Sequence, residues 1–264
     1  MKAALLAFWR IVALLLLSAV ALQLYFLARV ALMTVVDPQS TTFQRSEAWR
    51  LLTEKSRLAW RQQWVPYARI SPNLKRAVIA SEDAGFADHS GVEWDALEKA
   101  WERNQKAEAR IEKINAQLDR RLSKRDAGKA PSPARALPRT QPKIVGGSTI
   151  TQQLAKNLFL GGERSLLRKG PEFVVTCMLE ACLPKQRILE IYLNNVEWGE
   201  GVFGAEAAAH HYFHIDATKL GAMQAAQLAV MLPAPKRFEK RPGSAYVVGR
   251  AGTVSARMGA VDLP

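Results

Sequence analysis

Two adjacent acids, Glu82 and Asp83, close the apolar run Ala77-Val78-Ile79-Ala80 and open the segment that ends at Gly91. Successive helical side chains point about 100° apart, so the two carboxylates cannot face the same solvent. One is free to enter a cleft while the other binds backbone or an arginine. A carboxyl at the edge of an apolar wall holds its proton more tightly, which suits proton transfer near neutral pH. The alternative is a helix C-terminus with ordinary surface acids.

A second segment runs from Gly146 to Phe159. Ser148 follows two glycines and is the predicted N-cap of a helix. Ile150, Leu154 and Leu158 share one face, while Thr149, Gln152, Gln153 and Lys156 share another. Surface helices usually mix Glu with Lys. A stripe of hydroxyls and amides suits sugar hydroxyls instead, with Lys156 placed for a phosphate. The helix N-terminus, with Gly147 and its unpaired N–H groups, is a second anion site. A plain solvated face is the alternative.

The third segment holds Arg164, Arg168, Lys169, Pro171 and Glu172. Pro171 belongs in a first helical turn, so a helix should start near Lys169 or Gly170. The cations then cluster where the helix dipole is already positive. Beside Glu172 they could hold a pyrophosphate while the acid positions a proton or a metal. The plain reading is an exposed ion pair worth well under ~1 kcal/mol.

Other polar residues carry less. His210, His211 and His214 invite a metal, but no nearby cysteine completes a set, and Glu206 is the acid one turn before His210. Packed or exposed histidines are the favoured reading. Cys177 and Cys182 lie five apart, which on a helix points them in different directions. Two buried free thiols are expected rather than a disulfide.

The elements that must position these groups are mainly helical. The segment Asn73–Asp83 reads as a helix behind Pro72, and a second helical pattern starts at Trp94. From 103 to 143 the chain passes from a charged, solvated helix into a loop rich in Pro and Gly, a predicted flexible insertion. Residues 37–70 interleave Trp49, Trp60, Trp64 and Tyr67 with arginines. They are either a short helix packed on the domain or a collar at the lipid headgroups. Residues 11–36 are apolar and long enough for a membrane anchor. Ala19-Val20-Ala21 resembles a signal-peptide cleavage site, but the apolar run continues past it. Lys2 and Arg10 put residues 1–10 in the cytoplasm and everything after residue 36 outside. A net charge of +13 over 264 residues favours nucleic acid, an anionic membrane or a phosphorylated substrate.

Five stretches, in order, resemble the peptidoglycan glycosyltransferase family shared by monofunctional enzymes and class A penicillin-binding proteins. They are EDAGFADHSG, GGSTITQQLAKNLFL, RSLLRKGPEFVVTCMLE, KQRILEIYLNNVEWGEGVFGAEAAAHHYF and LAVMLPAPKRF, spanning about 80 to 240. The resemblance implies a mainly α, lysozyme-like domain over 71–264 on one N-terminal transmembrane helix. It implies that lipid II is polymerised into linear glycan with inversion and release of a polyprenyl diphosphate. Glu82 falls on the general base and Glu172 on the second acid, which acts on the diphosphate directly or through a divalent cation such as Mg or Mn. No cofactor is otherwise implied, and no resident metal. Lys156, Arg168 and Lys169 fall among the phosphate-binding positions, and Arg164 of the same cluster is expected to bind substrate. Ser148, Thr149, Gln152, Gln153 and Asn157 fall along the substrate cleft, and Asp83, Phe86 and His89 in the first motif.

Glu93 stands where an aspartate is usual, and the stretch from about 105 to 143 is longer than expected. No serine has lysine three residues on and no Lys-Thr-Gly occurs, so no transpeptidase activity is expected. The expected partners are lipid II, the growing glycan, the membrane and proteins of cell division or wall synthesis. The expected location is the inner membrane, with the catalytic domain in the periplasm. Nucleic acid is not expected, since no DNA- or RNA-binding pattern is present. A glycan-cleaving hydrolase and a non-catalytic membrane scaffold are the rivals; the basic cluster argues against the first.

Overall fold

The computed structural model describes residues 2–126, 147–160 and 169–264. Helices dominate. In chain order they are α1 (Lys2–Leu32), α2 (Thr42–Lys55), α3 (Pro72–Glu82), α4 (Trp94–Asp126), α5 (Ile150–Phe159), α6 (Lys169–Cys182), α7 (Lys185–Asn195), α8 (Ala205–Phe213), α9 (Ala222–Met231), α10 (Pro235–Phe238) and α11 (Ala245–Arg257). Three short strands complete the described residues: β1 (Arg61–Gln62), β2 (Glu197–Gly199) and β3 (Val202–Phe203). β3 is central, parallel to β1 and antiparallel to β2.

The chain divides into two compact units, 1–92 with 149–264, and 93–148. In the smaller unit, the pattern beginning at Trp94 and the charged stretch after it form the single helix α4. The predicted loop after Asp126 lies outside the described residues.

In the larger unit α3 is a core helix. Ser71 caps it by accepting from the Asn73 N–H, and Pro72 takes the first turn, where its missing N–H costs nothing. Leu74, Ala77 and Val78 are fully buried against α9 and α11. Alanines at 225, 226 and 229 keep α9 close to α3. α5 packs on α2, α6 and α7.

α1 has one stretch, Leu5–Leu32, long and apolar enough to cross a membrane. From Leu5 to Tyr25 its described residues are exposed apart from Val12 and Gln23, which are half-buried, as suits a helix facing lipid. The helix differs from the predicted 11–36 at both ends. It starts earlier, at Lys2, and gives way after Leu32 to turns over 33–36. The reason for the early end is a docking contact. Val30 and Met33 are buried in the core, and Phe26 packs its ring 5.0 Å from that of Phe159 at the end of α5. The N–H groups of residues 33–36 take up the last carbonyls of α1, and Arg187 of α7 holds the turns they form. Its guanidinium donates to Met33 O at 2.9 Å, Val36 O at 3.2 Å and the Asp37 carboxylate at 2.7 Å.

The aromatic lead-in mostly turns inward. Trp60 stacks on Phe203, Trp64 lies under the Arg187 guanidinium, and Lys75 sits over the Tyr67 ring. Trp49 alone of the four is well exposed.

Lys236 of α10 pairs with Glu47 of α2 and lies 3.5 Å from Glu197 of β2. Burial pushes the Glu197 carboxyl up to about 7, Lys236 opposing and the charges of Glu47 and Glu239 assisting. The folded protein therefore binds a proton here that the unfolded chain releases near 4.5. Stability from this group is complete below that value and is lost as the pH rises to about 7. Thermal unfolding of Glu197→Gln against the parent protein should show the difference in Tm moving in the variant's favour between pH 5 and pH 8. A difference independent of pH would contradict the assignment.

Candidate active site

Glu82 ends α3 and Asp83 is its C-cap. The backbone turns there, and the two carboxylates part. Asp83 points inward, its side chain fully buried, and is held at both oxygens. Oδ1 lies 2.8 Å from His89 Nε2, and Oδ2 accepts the Ile150 N–H at 2.9 Å. The Gly91 N–H donates to His89 Nδ1 at 3.1 Å, so the ring proton sits on Nε2 and is donated to Asp83.

The N-terminus of α5 is therefore closed by the protein's own carboxylate. This replaces the predicted anion site there: Asp83 already fills it. The predicted cap is corrected by one residue. Thr149, not Ser148, caps α5 in a reciprocal box with Gln152, each side chain accepting from the other's backbone N–H. Thr149 Oγ1 also donates to Gly91 O at 2.6 Å, which commits this predicted cleft residue to a structural bond.

Gly91 is where the first three segments meet. Its φ is +85°, and a Cβ would come within 2.8 Å of both Glu180 and Thr176 on α6. Only glycine serves there. Glu180 in turn accepts from Thr151 of α5 at 2.5 Å and from Lys185 of α7 at 2.9 Å. Lys185 also covers the ring of Phe86. Phe86 is fully buried, so like Asp83 it shapes the site from inside rather than touching an open groove.

Glu82 faces another way. It is partly exposed, and its Oε2 accepts from the Gln153 side-chain amide at 3.0 Å. Burial raises its proton affinity; the Gln153 bond opposes this and the Asp83 charge adds to it. Along α5, Ile150, Leu154 and Leu158 are buried, while Gln152, Gln153, Lys156 and Asn157 are half-buried. The amide stripe thus runs from Glu82 toward the end of α5.

α6 starts at Lys169, with Pro171 in its first turn. Lys169 Nζ lies 2.9 Å from Glu172 Oε1. Glu172 is buried, so this is not the exposed ion pair of the plain reading. Arg164 and Arg168 lie outside the described residues. Further along α6, Val175, Thr176 and Leu179 face the core. Phe173, Val174 and Cys177 face outward. The expectation of two buried thiols therefore fails at Cys177, which the helical period puts on the exposed face. Both cysteines are free.

The histidines do not converge. His211 meets Arg61, while His210 turns to Glu206 and Asp216. Ligand atoms of Glu206, His210 and Asp216 come within 4.8 Å of one another. Lys219 already pairs with Asp216 at 2.7 Å, and the Ala217 N–H fills Glu206 Oε2.

Ile188, Leu189, Tyr192 and Leu193 are spaced as a core stripe, so sequence alone does not mark Tyr192 as a site residue. Its hydroxyl donates to Gln153 Oε1 at 2.9 Å. One polar atom in an apolar stripe was the available signal. Arg187, Glu180 and Gly91 were likewise invisible as contacts, because their partners lie far away in sequence.

An acid of raised proton affinity thus stands beside the amide face of α5, and a cation pairs with the buried Glu172 at the start of α6. Comparison with known proteins assigns the chain to a family. A family model described as Transglycosylase matches residues 50–127 and 119–259, and the chain belongs to that family. The chain is 50% identical over 244 residues to a biosynthetic peptidoglycan transglycosylase of Burkholderia thailandensis, covering 92% of this chain and 82% of that one. Proteins of the same description from Burkholderia orbicola and Paraburkholderia xenovorans are 50% and 48% identical, covering 86% and 88% of their lengths.

Asp83 carries the connection between α3 and α5. Asp83→Asn keeps the shape but turns an amide N–H toward one of two donors. Urea unfolding should show a loss of about 1–3 kcal/mol, the cost of a buried polar group left unpaired. Unchanged stability would contradict the assigned bonds.

Proposed function

We propose that the chain is a peptidoglycan polymerase, joining the disaccharide units of lipid II into linear glycan at the outer face of the inner membrane. The observation that carries this reading is Glu82: a carboxylate at the edge of the core, its proton affinity raised by burial, beside the amides of α5. The names of the relatives supply the substrate class.

In this reading the 4-hydroxyl of the acceptor sugar attacks the anomeric carbon of the donor from the face opposite the diphosphate. The new C–O bond forms as the bond to the lipid diphosphate breaks, and the configuration inverts. The hydroxyl proton passes to Glu82. Lys156, Lys169, Arg164 and Arg168 meet the charge growing on the departing diphosphate. Lys169, exposed at the first turn of α6, adds to a helix N-terminus that already favours anions. Gln152, Gln153 and Asn157 bond sugar hydroxyls, and no protein nucleophile is needed. A buried carboxylate is a hard oxygen ligand, so Glu172 is the residue that would hold Mg or Mn where such an ion shares the diphosphate and takes the place of Lys169.

The same reading puts the protein in the inner membrane as a single-pass protein. Lys2 and Arg10 favour a cytoplasmic N-terminus, and the catalytic domain then lies in the periplasm. The apolar outer face of α6, which packs beside α1, suits a headgroup region and the lipid tail of the substrate.

Glu82→Gln should abolish polymer formation from purified lipid II, a loss of about 100-fold or more, while the circular dichroism and Tm stay near those of the parent. Full activity in a folded variant would remove the base assignment.

A further inference from the structure

The Gln153 side chain has two ends that differ in sign. Only with its NH2 group toward Glu82 does it stabilise the ionised carboxylate; turned over, its carbonyl would repel that carboxylate. A terminal amide turns easily, because that torsion has broad, roughly two-fold wells. Something else must choose the orientation. Tyr192 of α7 is 1% exposed, and its hydroxyl donates to Gln153 Oε1 at 2.9 Å. The Gln153 amide then donates to Glu82 Oε2 at 3.0 Å. The proton order along this chain runs from phenol to amide to carboxylate.

We propose that Tyr192 is a positioning residue whose buried hydroxyl fixes the Gln153 amide with its N–H toward Glu82, keeping that carboxylate ionised and ready to accept a proton. The proposal rests on the reading of Glu82 as the base. Burial pushes Glu82 toward its protonated form, and the Gln153 bond is what opposes it. The titratable groups that act on Glu82 are Asp83, tied to His89, and Tyr192 itself. Tyr192 is pushed well above its ordinary range by burial, so it stays a neutral donor. α5 contributes one cation, Lys156, three residues beyond Gln153.

The test is the pH profile of lipid II polymerisation by full-length Tyr192→Phe, with the Glu82 carboxyl followed by 13C NMR. Losing the hydroxyl removes the bond that orients the amide, so the midpoint of Glu82 and the acidic limb of kcat should both rise by about 0.5–1 pH unit, less than a whole charge-assisted bond is worth. Activity on the acidic limb should fall about 3- to 10-fold, with recovery at high pH and little change in KM. Gln153→Met should raise the same midpoint, and the double variant should raise it no further. An unchanged midpoint in folded Tyr192→Phe, or additive shifts in the double variant, would overturn the proposal. If Tyr192→Phe does not fold, an unchanged midpoint in Gln153→Met overturns it. The underlying reading fails separately, by an active Glu82→Gln; the NMR midpoint does not depend on it.

Discussion

The site depends on one buried carboxylate. Asp83 closes the first turn of α5 and holds His89, and through His89 the backbone at Gly91. A carboxylate without partners at this depth would be costly; with a helix N-terminus and an imidazole N–H it is compensated. Because Asp83 is committed to these bonds, its neighbour Glu82 is the carboxylate left partly exposed, beside Gln153. Two identical functional groups, adjacent in the chain, receive opposite surroundings from the direction in which each leaves the end of α3.

From that bond the rest of the site is a sequence of supports. Gly91 lets the first segment approach α6 closely, since any Cβ there would collide with Thr176 and Glu180. Glu180 joins α5, α6 and α7 through Thr151 and Lys185. α5 then presents its amides on the side where Glu82 emerges. The anchor belongs to the same body: α1 ends against Phe159 of α5, and Arg187 of α7 holds the turns that follow it. The helix that meets the bilayer and the helix that carries the amide stripe share a contact.

Much of this was legible in the sequence because it follows from local rules. The period of Ile150, Leu154 and Leu158 gave the inner face of α5, and Pro171 gave the start of α6. The divergence of Glu82 and Asp83 was legible, although what parts them is the backbone leaving α3 at the Asp83 C-cap rather than the helical period. The cap at Thr149 was misplaced by one residue, since Ser148 and Thr149 are both good caps and only the bond to Gly91 O decides between them. The anion site predicted at α5 failed for a related reason: the anion is supplied by a residue 67 positions earlier. Tyr192 and Arg187 act through partners on other helices, and their types and spacing do not announce it. Cys177 was misjudged because residue type suggested burial where the helical period put it outside.

The central claim is that Glu82 is a base whose proton affinity the fold raises and whose ionised form the reaction uses. The most direct measurement compares, in the unmodified protein, the 13C titration of the Glu82 carboxyl with the rate of glycan synthesis across the same pH range. The account predicts a midpoint above 4.5 that coincides with the acidic limb of the rate. A rate that stays constant while Glu82 passes from carboxylic acid to carboxylate would contradict it.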